Sequence, residues 1–139
     1  MKEKLLYSIA IGTGIFFLFF VVGCTWIGYE VKRECKDAQR EYLPGGRQVS
    51  QFDCVEALIT QLNDENRGYR ARNDAVWALG QLGDPRALPE LKRYWTGNIP
   101  DREPLDGMIS QYELKKAINL TNGGLNITAF LWRNGYGKR

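Results

Sequence analysis

The stretch RARNDAVWALGQLGDPRALPELKRY, residues 70–94, decides the fold. Ala71, Ala75, Ala78, Leu79 and Leu82 fall on one face of a helix running from about Tyr69 to Leu82. Gly83 stops that helix at a position that favours left-handed backbone. Asp84 as N-cap and Pro85 as first helical residue start another at once. Ala87, Leu88, Leu91, Tyr94 and Trp95 are its inward set. Alanine on the inner face, with Gly80 beside it, lets two helices approach closely. Neither helix can hide its stripe alone, so such pairs must stack on neighbours.

The pattern extends both ways from this stretch. Residues 57–64 read ALITQLND and residues 87–94 read ALPELKRY, an offset of 30 that marks a helical-pair repeat. Upstream, Ser50 with Asp53 is arranged like a capping box, and Val55, Leu58, Ile59 and Leu62 form the stripe of the helix it opens. Asn63 to Gly68 is a polar turn. Downstream, residues 96–109 form a long connection broken by Gly97, Pro100 and Pro104. Ser110-Gln111-Tyr112-Glu113 predicts a full capping box, opening a helix with Leu114, Ala117 and Ile118 inward and closed at Asn122-Gly123-Gly124. No segment carries a series of alternating strands, so the class is all-α.

The N-terminus is different in kind. Residues 5–29 contain no charge, while Lys2, Glu3 and Lys4 precede them and Glu30, Lys32 and Arg33 follow. At about 1.5 Å per residue a helix of this length crosses a hydrocarbon layer of about 30 Å. Trp26 and Tyr29 sit where an interfacial aromatic belt belongs. Val31, Cys35, Ala38 and Tyr42 continue a helical face, so the same helix can run on into water. Leu43-Pro44-Gly45-Gly46 ends it. The expected organisation is a membrane anchor at 1–29, a connecting helix and linker at 30–49, helical repeats at 50–124, and an apolar capping segment with a basic tail at 125–139. The tail has two readings. Phe130, Leu131 and Trp132 cover the open end of the helical stack, or Trp132-Arg133 and Lys138-Arg139 rest on the bilayer beside the anchor.

Two membrane readings compete. One is a permanent single span. In the other, Val21-Val22-Gly23-Cys24 resembles a bacterial lipobox, with residues to 23 a signal and Cys24 the lipidated residue. The apolar run is long for a signal and continues past Cys24 through Trp26-Ile27, which favours the span. Orientation is also divided. Lys32, Arg33, Lys36 and Arg40 outnumber Lys2 and Lys4, and the positive-inside rule then puts the C-terminal domain in the cytoplasm. Cysteine usage points outward, because Cys35 and Cys54 remain as a pair suited to a disulfide in an extracytoplasmic domain. Two buried free thiols are the alternative. The balance places the domain outside.

The chain has 139 residues, 44% hydrophobic and 25% charged, which allows one modest core and excludes wholesale disorder. It contains no His, which removes Ser-His-Asp and Cys-His catalysis and the HExxH zinc site. A net charge of +3 is too weak a bias to argue for nucleic acid. Tyr69, Arg70, Arg72, Arg86, Lys92, Arg93 and Tyr94 mix basic and aromatic character, but read best as ordinary solvated faces. No metal, cofactor or small-molecule substrate is inferred, and no catalytic constellation is found. Asn119-Leu120-Thr121 and Asn126-Ile127-Thr128 match glycosylation acceptors by chance.

The small-residue helix, the Leu79-Gly80-x-Leu82-Gly83-Asp84 junction and Ala87-Leu88-x-x-Leu91 together resemble the HEAT-like repeats found in bacterial phycobilisome-lyase relatives. The resemblance covers residues 52–95 well and 96–122 loosely, where a fourteen-residue insertion breaks the pattern. It implies a short α-solenoid of about two HEAT-like helical pairs, which here follows the transmembrane helix read from residues 5–29. It also implies a binding surface on the second helix of a pair. There Arg70, Asn73, Trp77 and Gln81 span a sector of roughly 80° opposite the Ala/Leu stripe. A Trp among polar residues marks a hot spot for a protein partner, and Asp101, Arg102 and Glu103 in the long loop are further contacts. The function expected is a membrane-tethered interaction module without catalysis of its own. The alternative is a structural accessory subunit of a larger membrane complex, and more remotely a chromophore-lyase-like enzyme or chaperone.

Overall fold

The computed structural model describes residues 2–42 and 51–133. Among these residues every regular element is helical. Helix α1 spans Lys2–Tyr42, α2 Gln51–Asn63 and α3 Tyr69–Leu82. A 3-10 turn at Pro85–Ala87 leads into α4, Leu88–Tyr94; α5 spans Gln111–Thr121 and α6 Ala129–Trp132. The expected stop after Tyr42, the cap at Ser50 and the terminal Lys138-Arg139 lie outside the described residues.

Helix α1 is one unbroken rod of 41 residues, about 60 Å long. Its first half stands clear of the rest of the fold, with Ile9, Phe16, Phe17, Leu18 and Phe19 all exposed. It is long and apolar enough to cross a membrane. Its second half belongs to the core. Val31, Cys35 and Ala38 are buried against α2 and α3 with Val55, Leu58, Leu62, Ala75, Leu79 and Leu82.

Helix α3 ends as its local sequence requires. Gly83 takes φ 61°, and its amide donates to the Leu79 carbonyl at 3.0 Å. The Asp84 carboxylate accepts from the Arg86 amide at 2.9 Å, with Pro85 at the first helical position. The start differs from a pure α-helix, because the first turn is 3-10 before α4 begins.

Contacts along α1 and α3 set their register. Glu41 pairs with Arg67, Tyr42 donates to Asp64 at 2.8 Å, and Glu34 and Asp74 face each other electrostatically. At the other end, Trp132 of α6 lies on Gly28 while Arg133 donates to the Gln81 carbonyl. Helix α3 therefore runs antiparallel to α1, back toward the apolar half. Helix α5 runs parallel to α3: Asn73 bonds at Ser110 and Gly80 packs on Ala117. The carboxyl ends of α3 and α5, and the segment that follows them, share the end of the domain nearest the apolar rod.

The sulfurs of Cys35 and Cys54 are bonded, with their Cα atoms 5.1 Å apart. The bond ties α1 to the start of α2. Cys24 is a free thiol, buried one helical turn before Gly28.

Of the tail residues expected to cover the end of the stack, Trp132 packs on α1 and the core with Ala129 buried beside it, while Phe130 stays 75% exposed and Leu131 46%. The close approach at Gly28 explains this path. A Cβ there would stand 2.7 Å from the Trp132 ring, so only glycine admits the indole.

Candidate binding surface

Helix α3 carries the residues expected to bind a partner, and it is buried on most of its circumference. Arg72, Ala75, Val76, Ala78, Leu79, Gly80 and Leu82 all face inward. Arg70, Asp74, Trp77 and Gln81 form the strip that keeps access to solvent. Arg70 and Asp74 are exposed; Trp77 and Gln81 are half-buried.

Asn73 is not on that strip. It is 5% exposed, and its amide is fully used by the long loop. Its Nδ2 donates to the Leu105 and Met108 carbonyls at 3.0 Å each, and its Oδ1 accepts from the Ser110 amide at 2.8 Å. A buried amide satisfied by three backbone groups is a staple for the loop, not a contact for a partner. Asp74, one position on, takes its place at the surface.

Glu103 is a similar case. Its carboxylate accepts from the Ser110 hydroxyl at 2.6 Å and from the Gln111 amide at 2.7 Å, with Tyr112 also in range at 3.2 Å. A carboxylate at the amino end of α5 satisfies its open donors and complements the helix dipole. The predicted capping box is thus only half formed. Ser110 Oγ accepts from the Glu113 amide at 3.1 Å, but the Glu113 carboxylate pairs with Lys116 at 2.9 Å. Glu103 and Asn73 supply what Glu113 was expected to supply. Asp101 and Arg102 remain exposed in the loop.

Arg72 also leaves the surface. It is 7% exposed, donates to the Leu62 carbonyl at 2.9 Å, and lies 5.5 Å and 5.7 Å from the Tyr69 and Tyr94 ring centres. The basic and aromatic mix seen in the sequence is therefore partly internal structure.

The strip on α3 lies between two walls. On the α1 side stand Glu34 and Arg33. Partial desolvation, followed by the charge of Asp74, raises the Glu34 carboxyl above its ordinary value; partial desolvation raises Asp74 too. On the α5 side, Glu113, Lys116 and Leu120 join Trp77 and Gln81 around a recess of about 10 Å³. That is room for one water-sized group, whereas small-molecule pockets hold roughly 300–1,000 Å³. At one end Arg70 pairs with Asp106 at 3.2 Å. At the other, Gln81 accepts from Asn126 at 2.9 Å and its carbonyl binds Arg133. The result is an open, shallow channel with an indole in its floor and charges of both signs along its rims.

Among the described residues no cluster of three or more His, Cys, Asp or Glu stands ready for a metal.

Residues 71–94 match the family model described as PBS lyase HEAT-like repeat. The chain carries a HEAT-like repeat. The matched segment is α3, the turn after it and α4, so the family signal falls on the stretch that also supplies the channel floor. No curated protein and no solved structure matches the chain. In the HEAT-like repeat the small positions have a visible purpose: Ala75, Ala78 and Gly80 are fully buried where α3 meets its neighbours. The Asp106 and Glu103 connections were beyond the reach of sequence spacing, since the loop that carries them has no periodic pattern.

Proposed function

We propose that this chain is a membrane-tethered protein-interaction module. The apolar half of α1 is a permanent single span, and the HEAT-like domain presents the Arg70, Asp74, Trp77, Gln81 channel to a protein partner. One observation carries the reading: the helix that would cross the bilayer is the same unbroken helix that enters the domain core, so anchor and channel form one body. A hinge would let the domain sample many orientations; a continuous helix with a disulfide below it holds one. The half-buried Trp77 is pre-oriented by its packing, which lowers the ordering cost of binding.

Binding rather than catalysis suits the channel, which is open and shallow. The unbroken helix through a buried Cys24 favours the span over a lipidated Cys24. The Cys35–Cys54 bond favours an oxidising compartment, and so an extracytoplasmic domain.

The test is capture from detergent-solubilised membranes with the full chain and with Trp77→Ala. A hot-spot Trp contributes on the order of 2 kcal/mol or more, so capture of the partner should fall about thirtyfold. Thermal unfolding of the variant should remain cooperative. Unchanged capture with a large loss of stability would show Trp77 to be packing alone. A companion that stays in constant stoichiometry through every purification step would support the accessory-subunit reading instead.

A further inference from the structure

We infer that residues 125–131 are a second membrane contact, a shallow apolar foot seated at the headgroup boundary of the leaflet from which α1 emerges. The inference rests on the reading of α1 as a span and adds where the domain meets the bilayer.

Helices α3 and α5 both point their carboxyl ends toward the apolar half of α1, and the segment after α5 occupies that end of the domain. Trp132 of α6 lies on Gly28, inside the uncharged run of residues 5–29. Gly28 is one residue from Tyr29, the last uncharged residue, or about 1.5 Å along the axis. The base of the domain is therefore level with the end of the span. Trp26 and Tyr29, 63% and 61% exposed, ring α1 at the same height.

Leu125 is 85% exposed, Ile127 61%, Phe130 75% and Leu131 46%. Four large apolar side chains within seven residues thus turn much of their surface outward. Their neighbours with polar or aromatic anchoring roles turn the other way: Asn126 caps Ala129 and binds Gln81, Arg133 reaches the Gln81 carbonyl, and Trp132 packs on α1. The segment is thus fixed to the domain by its polar atoms and by Trp132, leaving its apolar atoms on the membrane side. An apolar surface continuous with a spanning helix, at the depth of the interface, is satisfied by lipid. Arg133, expected to rest on the bilayer, does not carry this contact, since it donates to the Gln81 carbonyl.

The test uses the full chain reconstituted into phosphatidylcholine–phosphatidylglycerol vesicles. A photoreactive benzophenone side chain replaces Phe130, Phe16 or Tyr112 in three separate variants. Phe16 is mid-span, and Tyr112 is exposed at the far end of α5. Intact mass after illumination reads lipid adducts. The expected result is adducts at 16 and at 130, with the yield at 130 at least tenfold that at 112. Adducts at 16 with none above the 112 level at 130 overturn the foot and leave the span standing. Cross-links from 130 to a second copy of the chain in place of lipid also overturn it. No adducts at 16 overturn the span, and the foot with it.

Discussion

Gly80 of α3 lies so close to α5 that a Cβ added to it would stand 2.7 Å from the Ala117 Cα. The neighbour is backbone, which cannot swing aside. The Gly80→Ala variant gains up to about 1 kcal/mol of helix propensity. It loses about 1–3 kcal/mol or more by forcing α3 and α5 apart. The expected net result is a destabilisation of about 1–2 kcal/mol in denaturant unfolding, opposite in sign to the same change at an exposed helical glycine.

The loop of residues 96–109 is held by Asn73 and Glu103, which meet at Ser110. Asn73→Ala leaves three backbone groups without their partner and should cost about 1–3 kcal/mol. Glu103→Ala removes the acceptor at the amino end of α5 and should cost about 1–2 kcal/mol. Because both act on one site, the double variant should lose less than the sum of the two. Strict additivity in a denaturation cycle would show that the two residues are independent.

The disulfide closes a loop of 18 intervening residues between Cys35 and Cys54. Its loss should destabilise the domain by about 3 kcal/mol. Intact mass of membrane-extracted protein checks its presence in the cell. The expected species retains the uncharged run of residues 5–29 and takes alkylation at Cys35 and Cys54 only after reduction. Alkylation of both without reductant would place the domain in a reducing compartment; loss of the first 23 residues with lipid on Cys24 would replace the span by a lipid anchor.

Glu34 has its carboxyl raised by partial desolvation and by Asp74. A carboxyl whose folded value lies above its unfolded one favours folding when protonated. That contribution is complete below the ordinary value of 4.5 and is lost as pH rises through the folded value. Glu34→Gln should therefore be more stable than the native chain at pH 7, with the advantage disappearing below about 4.5. An advantage that persists unchanged at pH 3 would trace to packing and not to charge.

Much of this architecture is legible along the chain because its signals are local. The α3 stripe repeats in steps of four positions or fewer, and the Gly83 stop, the Asp84-Pro85 restart and the Ser110 cap each depend on residues within four positions of one another. The uncharged run of residues 5–29 is equally local, and so is the helical face that carries it onward into the domain.

The surface is a different matter. Asn73 and Gln81 share a helix face in sequence, yet Asn73 is sealed by a loop 32 to 37 residues away and Gln81 is bridged by a tail 45 residues away. Arg72 reads as a solvated cation until Tyr69 and Tyr94 close over it. The tail reads as a cap until Gly28 offers Trp132 a seat on α1. Periodicity tells which side chains are apolar and which share a face, because that follows from backbone geometry alone. Which polar face is then covered, and which apolar one is left bare, depends on where distant segments come to rest, and that follows from packing between them.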